Sequence, residues 1–307
     1  KSKQVEKKNI REVSPEEMAA FLSVNGEKVF RAKQIEEWIW QKGVQDFEEM
    51  TNLPKSSREL LKATYYFDKL LPDCIQTASD GTTKTAWLLN DGNRIESVLI
   101  PGNEKYTVCV SSQAGCQLGC RFCATGTLGF KRNLTVGEIV DQVFHARKEA
   151  ECRSSSLSNI VFMGMGEPLL NYDHVLSAIQ RITSEKGLGM SPSRITVSTA
   201  GIPAKIRQLA DDRVRFNLAV SLHSAKENVR SQLMPVNRAY PLAELAASLI
   251  YFVEKTGTRP TFEYLLLHHI NDSLEDARAL ADYCKQFPVK INIIEYSPVE
   301  GSEFRHS

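Results

Sequence analysis

From residue 106 onward, six short apolar runs alternate with helix-length stretches, and that alternation limits the fold more than any other feature of the chain. The runs cover 107–111, 159–163, 194–198, 216–222, 261–267 and 290–295. Between them, amphipathic stretches over 136–150, 172–184, 202–210, 242–255 and 274–286 have the length and period of helices. Strands that alternate with helices form a parallel sheet, because a parallel neighbour is reached only by a crossover, and such crossovers are right-handed. Six strands fall short of the eight that close a barrel. The expected architecture is therefore α/β, a six-stranded partial parallel β/α barrel over 106–307.

Two smaller regions precede it. Residues 1–70 read as a small helical accessory domain. Ser14-Pro15-Glu16-Glu17 supplies a cap, a first-turn proline and first-turn acids. Ile35, Trp38, Ile39 and Trp40 share an apolar face over 30–42, and Leu53-Pro54 opens a third helix through residue 65. Residues 71–105 read as a β-hairpin extension, with strands 84–90 and 94–100 flanking Asp91-Gly92, a type I′ turn pair. The net charge is +1, so no global basic field advertises nucleic acid. Local clusters (Lys1, Lys3, Lys7, Lys8 and Arg11, then Lys131 and Arg132) offer patches for a phosphate backbone and read equally as solvated surface. No apolar run reaches the length of a membrane span and no signal peptide is visible. Seven cysteines without a secretory context point to a reducing cytoplasm and no disulfide framework. The chain opens on Lys1, which reads as a trimmed amino terminus.

Three of the cysteines sit just after the first barrel run: Cys116, Cys120 and Cys123, spaced C-x3-C-x2-C. Three thiolates this close can hold three corners of a four-iron, four-sulfur cluster. Such clusters normally take four cysteines, so one iron stays open to a substrate or cofactor. The competing reading is structural zinc, which usually takes four ligands in two separated pairs. No second Cys-x-x-Cys exists here, and the spacing favours the cluster.

Reactive groups of such sheets gather at the carboxyl ends of the strands. The polar residues at those ends are Gly164-Met165-Gly166-Glu167-Pro168, Ser198-Thr199-Ala200-Gly201, Ser221-Leu222-His223 and Glu295-Tyr296-Ser297-Pro298. Each alone reads as loop or structure; their convergence beside the cysteine loop makes a candidate site. Gly164 and Gly166 would let backbone approach a ligand. Glu167 suits an ammonium, Ser198 and Ser221 suit a carboxylate or ribose, and His223 suits a ribose or the orientation of its neighbours.

The cysteine spacing, with Phe122 before the third cysteine, resembles the signature of the radical S-adenosylmethionine enzymes, which share the partial-barrel fold. The chain more narrowly resembles the RlmN/Cfr group, which methylates adenosine in ribosomal RNA. The resembling stretches include Asp46-Phe47-Glu48-Glu49-Met50-Thr51-Asn52-Leu53-Pro54, Arg94-Ile95-Glu96-Ser97-Val98, Phe162-Met163-Gly164-Met165-Gly166-Glu167-Pro168 and Leu233-Met234-Pro235-Val236-Asn237. The RlmN branch is favoured, on overall likeness. The resemblance implies a [4Fe-4S] cluster on the three cysteines, with S-adenosyl-L-methionine on Gly166, Glu167, Ser198, Ser221, Leu222, His223 and Ser297. It implies methylation of C2 of adenosine in 23S rRNA near the peptidyl transferase centre, and in tRNA next to the anticodon. It also implies an electron donor such as a flavodoxin-type protein, and RNA held in part by the amino-terminal helices.

In that family a methylated cysteine near the carboxyl terminus delivers its carbon to C2 through a covalent protein–RNA adduct. By position, Cys109 matches the cysteine that resolves the adduct and Glu96 matches the proton acceptor. Read alone, Cys109 is a small buried hydrophobe and Glu96 an exposed strand residue. Two departures stand out. The chain ends at Ser307, before the segment that carries the family's methyl-bearing cysteine, which reads as truncation. Ser297 stands where the family usually has asparagine and keeps fewer hydrogen-bonding groups. The alternatives are Cfr-like methylation at C8, a radical enzyme with another substrate, and an RNA-binding module that keeps the cluster only structurally.

Overall fold

A computed structural model describes residues 7–298 and 301–307. Its main sheet has nine strands: β1 (Leu71–Thr77), β2 (Thr83–Leu88), β3 (Arg94–Pro101), β4 (Tyr106–Cys109), β5 (Leu157–Phe162), β6 (Ile195–Thr199), β7 (Asn217–Ser221), β8 (Thr261–Leu266) and β9 (Lys290–Glu295). They lie side by side in chain order. Strands β4 to β9 are mutually parallel, which is the expected six-stranded partial barrel. Strands β1 to β4 run antiparallel.

The antiparallel part has one strand more than the sequence predicts. β1 is exposed at every position, so it carries no apolar alternation to read, and Pro72 sits beside a bulge in it. The turn between β2 and β3 also differs. Leu89 donates to the Asn93 carbonyl and Gly92 to the Leu89 carbonyl, each at 2.9 Å. Gly92 has φ 83° and Asp91 does not share a positive φ. A type I′ turn needs positive φ at both central residues, so this is a longer loop closed by one left-handed glycine.

The crossovers carry α4 (Val136–Cys152), α5 (Tyr172–Thr183), α6 (Pro203–Asp211), α8 (Leu242–Thr256) and α9 (Leu274–Cys284), with the shorter α7 (Glu227–Leu233) after β7. The first of these starts where Thr135 and Glu138 form a reciprocal capping box. Strand period then sorts the two faces of the sheet. On one face Val108, Ile160, Phe162, Ile195, Val197, Leu218, Val220, Phe262 and Tyr264 are buried and join the core. On the other, cross-strand register aligns Cys109 with Val161, Thr196 with Val161, Ser198 with Ala219, and Ser221 with Glu263 and then Asn292. That face is lined largely by small and polar side chains and leads to the rim.

The amino-terminal helices are α1 (Pro15–Val24), capped by Ser14, α2 (Arg31–Trp40) and α3 (Lys55–Thr64). Leu22, Ile35, Ile39, Trp40 and Leu61 are buried in a core that continues into the barrel. The local basic clusters are mostly spent on structure. Arg11 is buried in an ion pair with Asp141 of α4, Lys8 pairs with Glu17 at 2.9 Å, and Lys7 donates to the Lys62 carbonyl at 2.6 Å. Arg132 spans Asp91 and Glu138. Lys1 and Lys3 lie outside the described residues. Among the described residues no helix is long and apolar enough to cross a membrane.

Candidate active site

The cysteine loop begins at a small hairpin, where Gln113–Gly115 pairs with Phe130–Asn133. Gly115 has φ 77°, and a Cβ there would collide with the Gly129 carbonyl, so glycine lets the two strands close. Cys116 donates its N–H to that carbonyl at 3.2 Å. The loop then turns on Cys123 N–H to Cys120 O at 3.1 Å and is tied to α7 by Arg121 N–H to Leu233 O at 3.0 Å. All three thiols are half-buried and none is in a disulfide. Cys123 opens on a cleft of about 230 Å³ that also meets Phe122, Thr127 and Phe304.

Burial pushes the Cys120 thiol up to about 12, helped by Cys123 and Cys116 beside it. Burial raises Cys116 as well, against N–H groups of Leu118 and Gln117 that favour its thiolate. An all-sulfur donor set, withdrawn from water and offered backbone N–H groups, fits an iron–sulfur cluster. Iron must displace the thiol protons. Among the described residues no three His, Cys, Asp or Glu side chains gather around a single-ion position.

Glu167, the residue before Pro168, is 3% exposed. Its Oε1 accepts from Leu169 N at 3.0 Å and its Oε2 from Ala200 N at 2.7 Å. Burial raises its carboxyl against these bonds. Both oxygens thus serve the backbone, where the sequence suggested an ammonium ligand. A Cβ on Gly164 would lie 2.8 Å from Val110 backbone atoms, and one on Gly166 (φ 99°) would lie 2.5 Å from Gln113 Cβ. Their missing side chains make room for the chain's own packing.

Ser198 is buried at the end of β6, and Ser221 is half-buried at the end of β7. Leu222 is fully buried, and its N–H donates to the Glu263 carbonyl at 3.0 Å. His223 has φ 55°, and its Nδ1 accepts from Leu265 N at 3.0 Å. That bond assigns the ring proton to Nε2. The ring stands edge-on to Phe122 of the cysteine loop, with centroids 4.6 Å apart. Burial and then the Arg230 charge lower its pKa to about 3. Ser297 lies exposed just past β9.

Cys109 and Glu96 come from neighbouring strands. Val98 pairs with Cys109, and Glu96 is two residues before Val98, so both side chains leave the same face one step apart. Burial pushes the Cys109 thiol up to about 11, so it is neutral at physiological pH. Glu96 is half-exposed and lies 3.3 Å from the Lys84 ammonium.

Three rim residues escaped the sequence reading. Glu263 sits on the polar face of β8, raised by burial and bonded to Asn292 at 2.7 Å. Asn271 bonds the His223 carbonyl at 2.6 Å and the Leu265 carbonyl at 2.7 Å. Arg230 is wholly buried on α7. Each looks like an ordinary polar residue until the chain brings its partners together.

Residues 8–66 match the family described as Ribosomal RNA large subunit methyltransferase N-terminal domain, and residues 110–283 match the Radical SAM superfamily. A Flavobacterium psychrophilum protein named as a probable dual-specificity RNA methyltransferase RlmN is 48% identical over 305 residues, covering 99% of this chain and 88% of its own length. A Pelobacter propionicus protein named as a dual-specificity RNA methyltransferase RlmN is 42% identical over 300 residues, covering 98% and 85%. The crystal structure of a radical SAM methyltransferase from Sphaerobacter thermophilus superposes with a TM-score of 0.92 at 39% identity, covering 97% of this chain and 88% of that one.

Proposed function

Since the chain belongs to the RlmN family of the radical SAM superfamily, we propose that it methylates C2 of adenosine in 23S ribosomal RNA and in transfer RNA next to the anticodon, in the cytoplasm. The observation that carries the reading is the placement of three half-buried thiols on a loop at the carboxyl rim of the parallel strands, where Phe122 of the loop packs on His223 and Arg121 is tied to the end of α7. Cys116, Cys120 and Cys123 would hold a [4Fe-4S] cluster. Ser198, Ser221, Ser297 and the backbone around Gly166, Glu167, Leu222 and His223 would hold S-adenosylmethionine. When bound, this pair supplies the one-electron chemistry that an electron-poor aromatic carbon such as adenine C2 requires.

The chain's own residues would do the rest. Glu96, at the edge of the polar face, accepts the C2 proton. Cys109 stays a neutral thiol until it is needed to release the RNA. The amino-terminal helices help hold the RNA, which presents an unstacked adenine to the rim. The electrons come from a flavodoxin-type donor.

The test is anaerobic reconstitution with iron and sulfide, then dithionite, S-adenosylmethionine and a 23S fragment, read by mass spectrometry. It is run on this chain and on a form extended through the family's carboxyl-terminal cysteine segment. Both are expected to release 5′-deoxyadenosine, and the extended form to yield 2-methyladenosine. Methyl on C8 would move the chain to the Cfr branch. 5′-Deoxyadenosine without any methylated RNA would point to another substrate. No cofactor cleavage would reduce the protein to an RNA-binding module.

A further inference from the structure

Arg230 is the largest side chain with essentially no exposure among the described residues, and it forms no ion pair among them. Its guanidinium is bound almost entirely by carbonyl oxygens of the rim. Nη2 donates to Ala200 O at 2.7 Å and Ser221 O at 3.3 Å, Nε to Leu222 O at 3.2 Å, and Nη1 to Asn237 Oδ1 at 2.6 Å. Gly201 makes the approach possible: it has φ 95°, and a Cβ there would meet Leu245 at 2.9 Å and the guanidinium at 3.4 Å.

Ala200 is held from the other side by Glu167, whose Oε2 takes the Ala200 N–H at 2.7 Å. A buried carboxylate and a buried guanidinium are therefore joined through one residue. This arrangement fastens the segment after β5 and the ends of β6 and β7 to one another. It also touches the thiol loop. Cys120 packs on the small core of Ala200, Leu233 and Met234, and Arg121 N–H binds Leu233 O at the end of α7. The two charges thus meet at the backbone of Ala200, in the small core on which Cys120 packs.

We propose that Arg230 is a positioning residue of the cysteine site: joined to Glu167 through Ala200, it fixes three strand ends around the thiol loop, and the two charges set the reduction potential of the cluster held there, Arg230 raising it and Glu167 lowering it. This rests on the cluster assignment of the proposed function. Reduction adds an electron, so a fixed cation beside the cluster favours the reduced form and a fixed anion opposes it.

The test is a redox titration of the reconstituted full chain, followed by the electron paramagnetic resonance signal of the reduced cluster. Arg230→Met should lower the reduced-to-oxidised ratio at a fixed poise about tenfold, or 59 mV for one electron. Glu167→Gln should raise it by a similar factor, and the double variant should return close to the parent. Arg230→Lys should keep the potential while loosening the strand ends, seen as a lower melting temperature. If Arg230→Met fails to load iron, an unchanged Arg230→Lys with a raised Glu167→Gln supports the inference. Shifts of the same sign in Arg230→Met and Glu167→Gln, or no shift in Glu167→Gln, overturn it. A parent chain that binds no iron overturns the functional reading as well, so the two failures are told apart.

Discussion

Arg11 and Arg230 are both closed off from water, but their charges are answered in different ways. Arg11 lies at the seam between the amino-terminal helices and α4. Its guanidinium contacts the Asp141 carboxylate directly, with each side chain 1% exposed. Gly137 leaves the room it needs: a Cβ there would lie 2.9 Å from Arg11 Cδ. Arg230 spreads its charge over carbonyls from two strand ends, and its carboxylate partner sits one residue away. A pair in contact can be removed as a unit. A charge shared out over the backbone cannot, because its acceptors remain when it leaves.

That difference makes the largest expected effect. Arg11→Met leaves Asp141 buried without its partner and should cost about 3–5 kcal/mol in urea denaturation. Arg11→Met with Asp141→Leu should recover most of the loss, since apolar replacements of a buried pair are often neutral. Arg230→Met should also be costly, at about 1–3 kcal/mol for a group left unsatisfied. Adding Glu167→Gln should recover little, because the Ala200, Ser221 and Leu222 carbonyls stay without their donor. Equal recovery in both double variants would erase the contrast between seam and rim.

A pH-dependent effect comes from the burial of His223, to which the Arg230 charge adds. His223 is held neutral, with a folded pKa of about 3 against about 6.5 unfolded. Between those values the unfolded chain binds a proton that the folded chain refuses. The stability tied to this ring is therefore complete above about pH 6.5 and drains away as pH falls towards 3, by up to about 1.4 kcal/mol per pH unit. His145, also lowered by burial, acts in the same direction, while the raised carboxyls of Glu167 and Asp141 act in the opposite one. The readout is therefore the difference between parent and His223→Asn, which keeps an acceptor near Leu265 N and tolerates φ 55°. Parallel stability–pH curves would mean the rim does not exclude the proton.

The sequence carried the parallel strands and their helices well, since apolar runs and caps such as Ser14 and Thr135 are local signals. It also placed the cysteine loop and the strand ends on one rim. It misjudged β1, whose exposed positions give no pattern, and the turn at Asp91-Gly92, where one positive φ replaced two. Arg11 read as part of a basic surface cluster because nothing near it in sequence announces Asp141, 130 residues on. Arg230 and Asn271 were invisible for the same reason: a polar residue declares itself functional only through partners that folding supplies. Glu167 read as a ligand for an ammonium, and its oxygens accept from the N–H groups of Leu169 and Ala200.

The smallest expected effect belongs to an exposed ion pair, between Lys84 and Glu96 on adjacent antiparallel strands. Its side chains are 44% and 45% exposed at 3.3 Å, so water screens both charges. An exposed pair is worth at most about 1 kcal/mol, and Lys84→Ala should shift stability by less than that, with the shift shrinking further in high salt. The pair nonetheless holds the Glu96 carboxylate on the face it shares with Cys109. Under the proposed function, a Glu96 freed from its ammonium should still accept a proton. In the extended form the variant should then keep measurable methylation where Glu96→Gln loses it. A Lys84→Ala loss as large as that of Arg11→Met would show that burial does not rank these ion pairs.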